Sequence, residues 1–300
     1  DAKNMLGKNF QGLWRQGLFE PLEHAAEKLH ERGAWQEGWL SVRATIRTEG
    51  DKMTPESLSR LKTLNRLLRP ADLEQQARAF ALADHGQAID LVDAKEQDES
   101  GKASDRYKRA RQKTLTIGNR VAAEDKILSQ LLPELVSTNC NRTFEFGQGL
   151  AEGCNNPLAI WKNFRSALQC VEKRKRNFRV ICGFLNALQE KNPVVCNTIL
   201  DEAVTDDIFS PVFPILQTSV KIDKQGVGRI RESLHSWNVP VHLFTHIAYG
   251  QIHQTINDHD LSDILSLIAK KADGMPVAIE ILQMRFHGLP DDHQSLSETI

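Results

Sequence analysis

PLAIWKNF (157–164), PVVCNTIL (193–200), PVFPILQT (211–218), PVHLFTHI (240–247) and PVAIEILQ (276–283) are five versions of one phrase: proline, then Val or Leu, then an apolar stretch. Proline lacks an N–H and has a fixed φ, so it suits the first helical turn and breaks a helix interior. Each copy therefore predicts the start of a helix. Pro157 and Pro193 are 36 residues apart, as are Pro240 and Pro276, and Pro211 divides the longer interval between them. Ahead of three copies lie partner helices, expected over 178–189, 227–237 and 261–272. Ile230, Leu234 and Trp237 make one helical stripe, and Leu261, Ile264, Leu265 and Ile268 make another. Two helices in roughly 36 residues is the period of an α-solenoid. The expected fold is all-α, with helix-hairpin repeats forming an α-solenoid over 106–300; an irregular helical bundle is the alternative.

The N-terminal third is helical by the same reasoning. Leu22, Ala25, Ala26 and Leu29 form a stripe that Gly33 breaks, and Trp35, Trp39, Val42 and Ile46 form the next. Thr54-Pro55-Glu56 reads as a capped helix start, and Leu58, Leu61, Leu64 and Leu68 carry that helix to a stop at Arg69-Pro70. A further helix is expected through Leu73, Ala77 and Phe80. These pairs make a tetratricopeptide-like block over 1–88. Residues 89–105 are acidic and small, the composition of a linker. One basic helix is then expected from Arg106 to about Leu132.

The chain has 300 residues, a net charge of −1, 40% hydrophobic and 26% charged residues, which excludes a disordered chain and a uniformly basic nucleic-acid coat. Aromatics are only 6%, thin for a β-sandwich and ample for stacked helices. No apolar run approaches the ~18–20 residues of a membrane span, so no membrane partner is expected. Its start, DAKNM, has neither an initiator Met nor a signal sequence, and a cut-out piece of a larger protein is expected. Cys140, Cys154, Cys170, Cys182 and Cys196 are odd in number and contain no CxxC, so they read as reduced thiols packed in a cytoplasmic protein.

Phosphate-loop, GxGxxG, GxSxG and HExxH motifs are all absent from the sequence. His242 and His246, with His253 beyond them, have helical metal-ligand spacing, but Leu243 stands where a zincin needs Glu. Surface or packed histidines are the expectation, with no metal and no cofactor. Asp206-Asp207, Asp258/Asp260/Asp263 and Asp291-Asp292 sit at presumed helix starts, where acids cap N–H groups. Trp39 and Trp237 lie on apolar stripes and are expected in the core.

Two basic runs remain. Residues 102–120 carry seven Lys or Arg against one acid, with Tyr107 among them; Lys173-Arg174-Lys175-Arg176 and Arg179 form the other. The candidate interaction patch is Arg106, Lys108, Arg109, Arg111, Lys113, Lys173, Arg174, Lys175, Arg176 and Arg179. Such runs with an interleaved aromatic can hold phosphates and stack a base, or simply face solvent.

WNVPVHLFTHIAYG (237–250) and KKADGMPVAIEILQMRFHG (270–288) resemble the helical-repeat portions of large bacterial multidomain proteins. AAEKLHERGAWQEGW (25–39) is similar to a tetratricopeptide hairpin, with small Ala25 and Ala26 and a Gly33-Ala34 turn, but departs from it at Trp35 and Trp39. Tetratricopeptide/HEAT-like regions of this kind occur at the C-terminal end of STAND-type antiviral NTPases. There an effector and a nucleotide switch precede a helical sensor that grips a ligand, often a foreign protein. Without a phosphate loop, the resemblance implies the sensor part alone.

The expected function is a non-catalytic protein-interaction module of a larger bacterial protein, with a protein partner on its solenoid surface. A nucleic-acid-binding helical domain using residues 102–120 and 173–179 is the alternative. A motif-less enzyme, centred on the His242/His246 face, ranks last.

Overall fold

The computed structural model describes residues 2–82, 91, 103–140 and 142–287, and among them every regular element is a helix. They divide into two compact units, Asp1–Asn155 with Lys173–Val180, and Asn156–Glu172 with Ile181–Ile300. Of the linker expected at 89–105, only Leu91 and the backbone of 103–105 lie within the described residues; the Asp291-Asp292 pair lies outside them.

The N-terminal unit contains α1 (Ala2–Arg15), α2 (Phe19–Glu31), α3 (Gln36–Glu49), α4 (Pro55–Leu68), α5 (Leu73–Ala77), α6 (Ala103–Val121), α7 (Asp125–Leu135) and α8 (Thr143–Gly153). Gly17 and Gly33 take positive φ, 80° and 126°, and let the chain reverse between α1 and α2 and between α2 and α3. Thr54 caps α4 as expected, accepting from the Ser57 N–H at 3.3 Å with Pro55 behind it. Trp14 stacks on Phe10 at 5.7 Å and donates its indole N–H to Ser57 Oγ at 3.1 Å, joining α1 to the first turn of α4. Beyond α5 the helix widens into a π-turn over Arg78–Leu82. The carbonyls of Phe80 and Leu82 accept from Arg142 Nε at 2.7 Å and the Cys140 thiol at 3.0 Å. The basic helix expected as one element over 106–132 is two, because the backbone breaks between Val121 and Asp125.

Helices α6 and α8 approach backbone to backbone. A Cβ built on Gly149 would lie 2.0 Å from the Leu115 carbonyl oxygen; on Gly118, 2.3 Å from that of Phe146; on Gly153, 2.1 Å from that of Asn119. Three glycines along one seam leave no room for any side chain. The seam fixes which face of α6 turns toward α8.

The C-terminal unit holds α9 (Pro157–Gln169), most of α10 (Arg179–Lys191), α11 (Pro193–Ala203), α12 (Phe213–Gln217), α13 (Lys224–His235), 3₁₀ segments at Val241–Ala248 and Ile252–Thr255, α14 (Asp258–Ala269) and α15 (Gly274–Phe286). Asn156 and Asn192 cap α9 and α11 identically, each accepting from the third residue on (3.1 and 3.2 Å) with proline at the first helical position. Pro211 opens a 3₁₀ turn before α12, Pro240 precedes a 3₁₀ helix, and Pro276 is the third residue of α15. Trp161 stacks on Phe209 at 4.1 Å, and Phe164 meets Phe184 edge-on at 5.5 Å. Trp237 is not in the core: α13 stops at His235, so the stripe of Ile230 and Leu234 ends before it and leaves its indole 95% exposed.

Long-range hydrogen bonds within this unit repeatedly join residues one helix pair apart. Asn186 donates to the Ser219 carbonyl, the Lys221 N–H to Gln189, the Ile222 N–H to Thr255 and Arg285 to the His253 carbonyl, at separations of 32 or 33 residues. Arg231 reaches Asp260 and Asp263, 29 and 32 residues on, and the Tyr249 hydroxyl donates to Glu280, 31 residues on.

The glycine seam makes a sharp prediction. Gly149→Ala lowers stability by about 1–3 kcal/mol or more, because backbone rather than a flexible side chain must move. Gly12→Ala, in α1 with nothing within 4 Å of its Cβ position, is neutral or stabilises by up to about 1 kcal/mol. Urea denaturation of both variants measures the contrast.

Candidate functional site

The N-terminal unit carries a cavity of about 220 Å³ whose wall collects four cations from α3, α6 and the end of α4. Trp39 and Arg43 lie one turn apart on α3, and the guanidinium carbon of Arg43 sits 5.2 Å from the Trp39 ring centre. Arg69 enters from the end of α4, where Pro70 stops the helix. Phe80 comes from the π-turn, 6.3 Å from the Trp39 ring. Lys113 and Arg120, two turns apart on α6, complete the wall, and Lys113 Nζ stands 6.0 Å from the Phe80 ring. Among the described residues lining the cavity none is acidic.

The aromatic rings do structural and electrostatic work together. Trp39 and Phe80 are almost wholly buried, so their rings serve as walls against which the cation stems pack. A cation over such a face is held by the ring quadrupole, worth about 0.5–2 kcal/mol. Arg43 and Lys113 are half-buried, while Arg69 and Arg120 are exposed. The cavity thus has two cations in its depth and two at its rim.

Residues expected in the candidate patch are dispersed around α6. The side chain of Arg106 lies outside the described residues; Lys108 is exposed and Arg109 half-buried. Arg111 turns toward α8 and pairs with Glu145 at 2.9 Å. Lys113 alone of this group lines the cavity. In the second run, Lys173–Lys175 form an exposed 3₁₀ turn between α9 and α10, with Arg176 half-buried and Arg179 exposed. Asn177 anchors the turn: its N–H donates to the Val136 carbonyl at 2.7 Å, and its side-chain oxygen accepts from the Arg179 N–H at 2.8 Å. Both runs belong to the N-terminal unit.

Arg43, Arg69 and the two rings were not read as a site from the sequence. The signal present was the spacing of Trp39 with Arg43 and of Lys113 with Arg120, each a whole number of helical turns.

Elsewhere the chemistry is quiet. His242 and His246 lie on the 3₁₀ segment, not an α-helix, so positions i and i+4 diverge by about 120° instead of sharing a face. His259, Asp260 and Asp263 come close together, but Arg231 bonds Asp260 at 2.6 Å and Asp263 at 3.0 Å, so their charge is already met. Asp206 accepts from the N–H groups of Ile208 and Phe209 (2.8 and 3.2 Å) and binds Arg165 at 2.7 Å, a capping role. None of the five cysteines forms a disulfide; Cys170 is exposed and the other four are buried. Burial pushes the Cys196 thiol up to about 12, leaving it protonated and inert at neutral pH.

No protein-family model, curated protein or solved structure matches the chain. No helix among the described residues is long and apolar enough to cross a membrane.

Burial holds His246 and His253 below the usual imidazole value, with His242 and Arg285 respectively adding to the effect. The unfolded chain therefore binds more protons than the folded one just below about pH 6.5, so stability falls as pH drops through that value. Chemical denaturation at pH 7.5 and pH 5.5 reads this loss. His253→Leu should flatten the pH dependence whatever it does to stability at pH 7.5, and an unchanged slope would remove His253 from the account.

Proposed function

We propose that the chain is a non-catalytic protein-interaction module, a tetratricopeptide/HEAT-like α-solenoid that serves a larger cytoplasmic protein as its sensor. The single observation that carries this reading is Trp237, a tryptophan 95% exposed just past the end of α13. Large aromatic side chains held out in water are where protein interfaces concentrate their binding energy. Leu158 and Val194, 39% and 74% exposed, stand at the second position of α9 and α11, matched sites 36 residues apart. Hydrogen bonds that step one helix pair along the chain support the solenoid, whose stability comes from contacts between neighbouring repeats. Five cysteines without a disulfide among them support a reducing compartment.

The test places a photo-crosslinking residue at position 237 in the full-length parent, identifies the adduct, and titrates that purified partner against Trp237→Ala. The expected result is at least a tenfold loss of affinity with an unchanged melting temperature, because the indole packs against little in the free chain. No protein adduct, or unaltered affinity, would refute the reading.

Nucleic-acid binding is the second reading, favoured because both basic runs lie in one compact unit. It requires affinity that falls steeply with salt as counterions are released. Fluorescence anisotropy against labelled oligonucleotides across a salt series measures it. Lys173, Arg174, Lys175 and Arg176 all replaced by Gln should flatten the log–log slope by about 3–4.

A further inference from the structure

We propose that the hollow where α1 and α3 end and α4 begins is a binding site for a small aromatic carboxylate, independent of any surface used for a protein partner. It holds about 330 Å³, and every residue lining it falls within the described stretch 14–57. Trp14, Phe19 and Met53 supply its apolar side. Phe19 packs against the Trp14 ring at 4.7 Å and lies under the Arg60 guanidinium at 5.3 Å. The aromatic side is thus held in place before any ligand arrives, which lowers the ordering cost of capture. An aromatic guest gains from such rings through offset or edge-on contact as well as through burial.

The polar side has donors to spare. Ser57 is 8% exposed; its Oγ accepts from the Trp14 indole, and its own O–H has no acceptor among the described residues. Thr54 Oγ1 likewise accepts from the Ser57 N–H, and its O–H has no acceptor there. A hydroxyl donates while it accepts, so buried Ser57 has the hollow to donate into. Both hydroxyls stand at the start of α4, the end of a helix dipole that favours an anion. Arg15 and Lys52 bring two cations to the wall and Glu49 one carboxylate. Glu49 is already committed: the Arg15 hydrogen bond holds it below the usual carboxylate range, with Gln11 and Lys52 adding to the effect. No carboxylate among the described residues forms an ion pair with exposed Lys52, so one positive charge is in surplus. A single surplus charge beside spare O–H donors selects a monoanion that accepts hydrogen bonds, and a carboxylate is both. Volume sets the size. At the ~30 Å³ that a water occupies in the liquid, the hollow takes a guest of about ten non-hydrogen atoms. A benzene ring, a short tether and a carboxylate match that count.

Titration calorimetry of the full chain at low ionic strength, with 3-phenylpropionate, its neutral amide, octanoate and inorganic phosphate as probes, tests this. Saturable one-to-one binding of 3-phenylpropionate is expected. The amide should bind at least tenfold more weakly because the charge is read, and octanoate several-fold more weakly because the ring is. Phosphate should not saturate. In a chain carrying nitrogen-15-labelled tryptophan, the Trp14 indole resonance, identified by its loss in Trp14→Phe, should shift along the same binding curve. Lys52→Glu should weaken 3-phenylpropionate at least tenfold. Lys62→Glu, the same charge change at an exposed α4 residue that does not line the hollow, should leave it unchanged. Ser57→Ala should weaken binding several-fold; if loss of the indole's acceptor unfolds that variant by circular dichroism, Lys52→Glu decides. Absence of saturable 3-phenylpropionate binding, equal affinity for the amide, octanoate or phosphate, a Trp14 resonance that stays still, or indifference to Lys52→Glu would overturn the proposal.

Discussion

A buried guanidinium must find partners for its charge and its N–H groups, and Arg229 on α13 is 4% exposed. It donates from Nε to Asp201 at 2.6 Å, from Nη2 to the side-chain oxygen of Asn197 at 2.9 Å, and from Nη1 to Gln217 at 3.4 Å. One side chain therefore ties α13 to α11 and α12. Asp201 is 64% exposed, so water screens part of the ion pair, and the neutral acceptors carry much of the satisfaction. The Cys196 thiol lies close enough to feel the charges of both Arg229 and Asp223, the cap of α13. Asp201, Asn197 and Gln217 keep the buried cation from being left unpaired, a failure that typically costs about 3–5 kcal/mol.

The N-terminal unit rests on a different constraint, the absence of side chains along the α6–α8 seam. Because the Gly118, Gly149 and Gly153 backbones touch their neighbours directly, α6 cannot rotate. Its orientation sends Arg111 to Glu145 on one side, and Lys113, Ile117 and Arg120 to the cavity on the other. The π-turn at Arg78–Leu82, locked by Arg142 and Cys140, presents Phe80 to the same cavity. Packing of an ordinary kind thus brings cations from three separate stretches of the chain to one cavity.

Helix starts were legible because they are local. Thr54-Pro55, Asn156-Pro157 and Asn192-Pro193 announce a cap and a first turn within two residues, and the structure uses them so. Helix ends were harder. Trp237 matches the period of Ile230 and Leu234, but periodicity does not reveal that Ser236 has already turned to extended backbone. His242 and His246 fit an α-helix on paper, and the chain winds there as a 3₁₀ helix. The basic cavity was illegible because charge runs draw attention to neighbours in sequence, whereas Arg43, Arg69 and Lys113 meet only through tertiary packing.

In the proposed solenoid each helix pair of residues 156–287 would be held by its immediate neighbours. Hydrogen exchange followed by mass spectrometry on the full chain carrying Arg229→Met tests it most directly. Faster exchange is expected in α11, α12 and α13, with protection retained around Ile264, Ile268 and Ile281, which are fully buried in α14 and α15. Loss of protection across α9 to α15 together would contradict it and make the unit a single cooperative bundle.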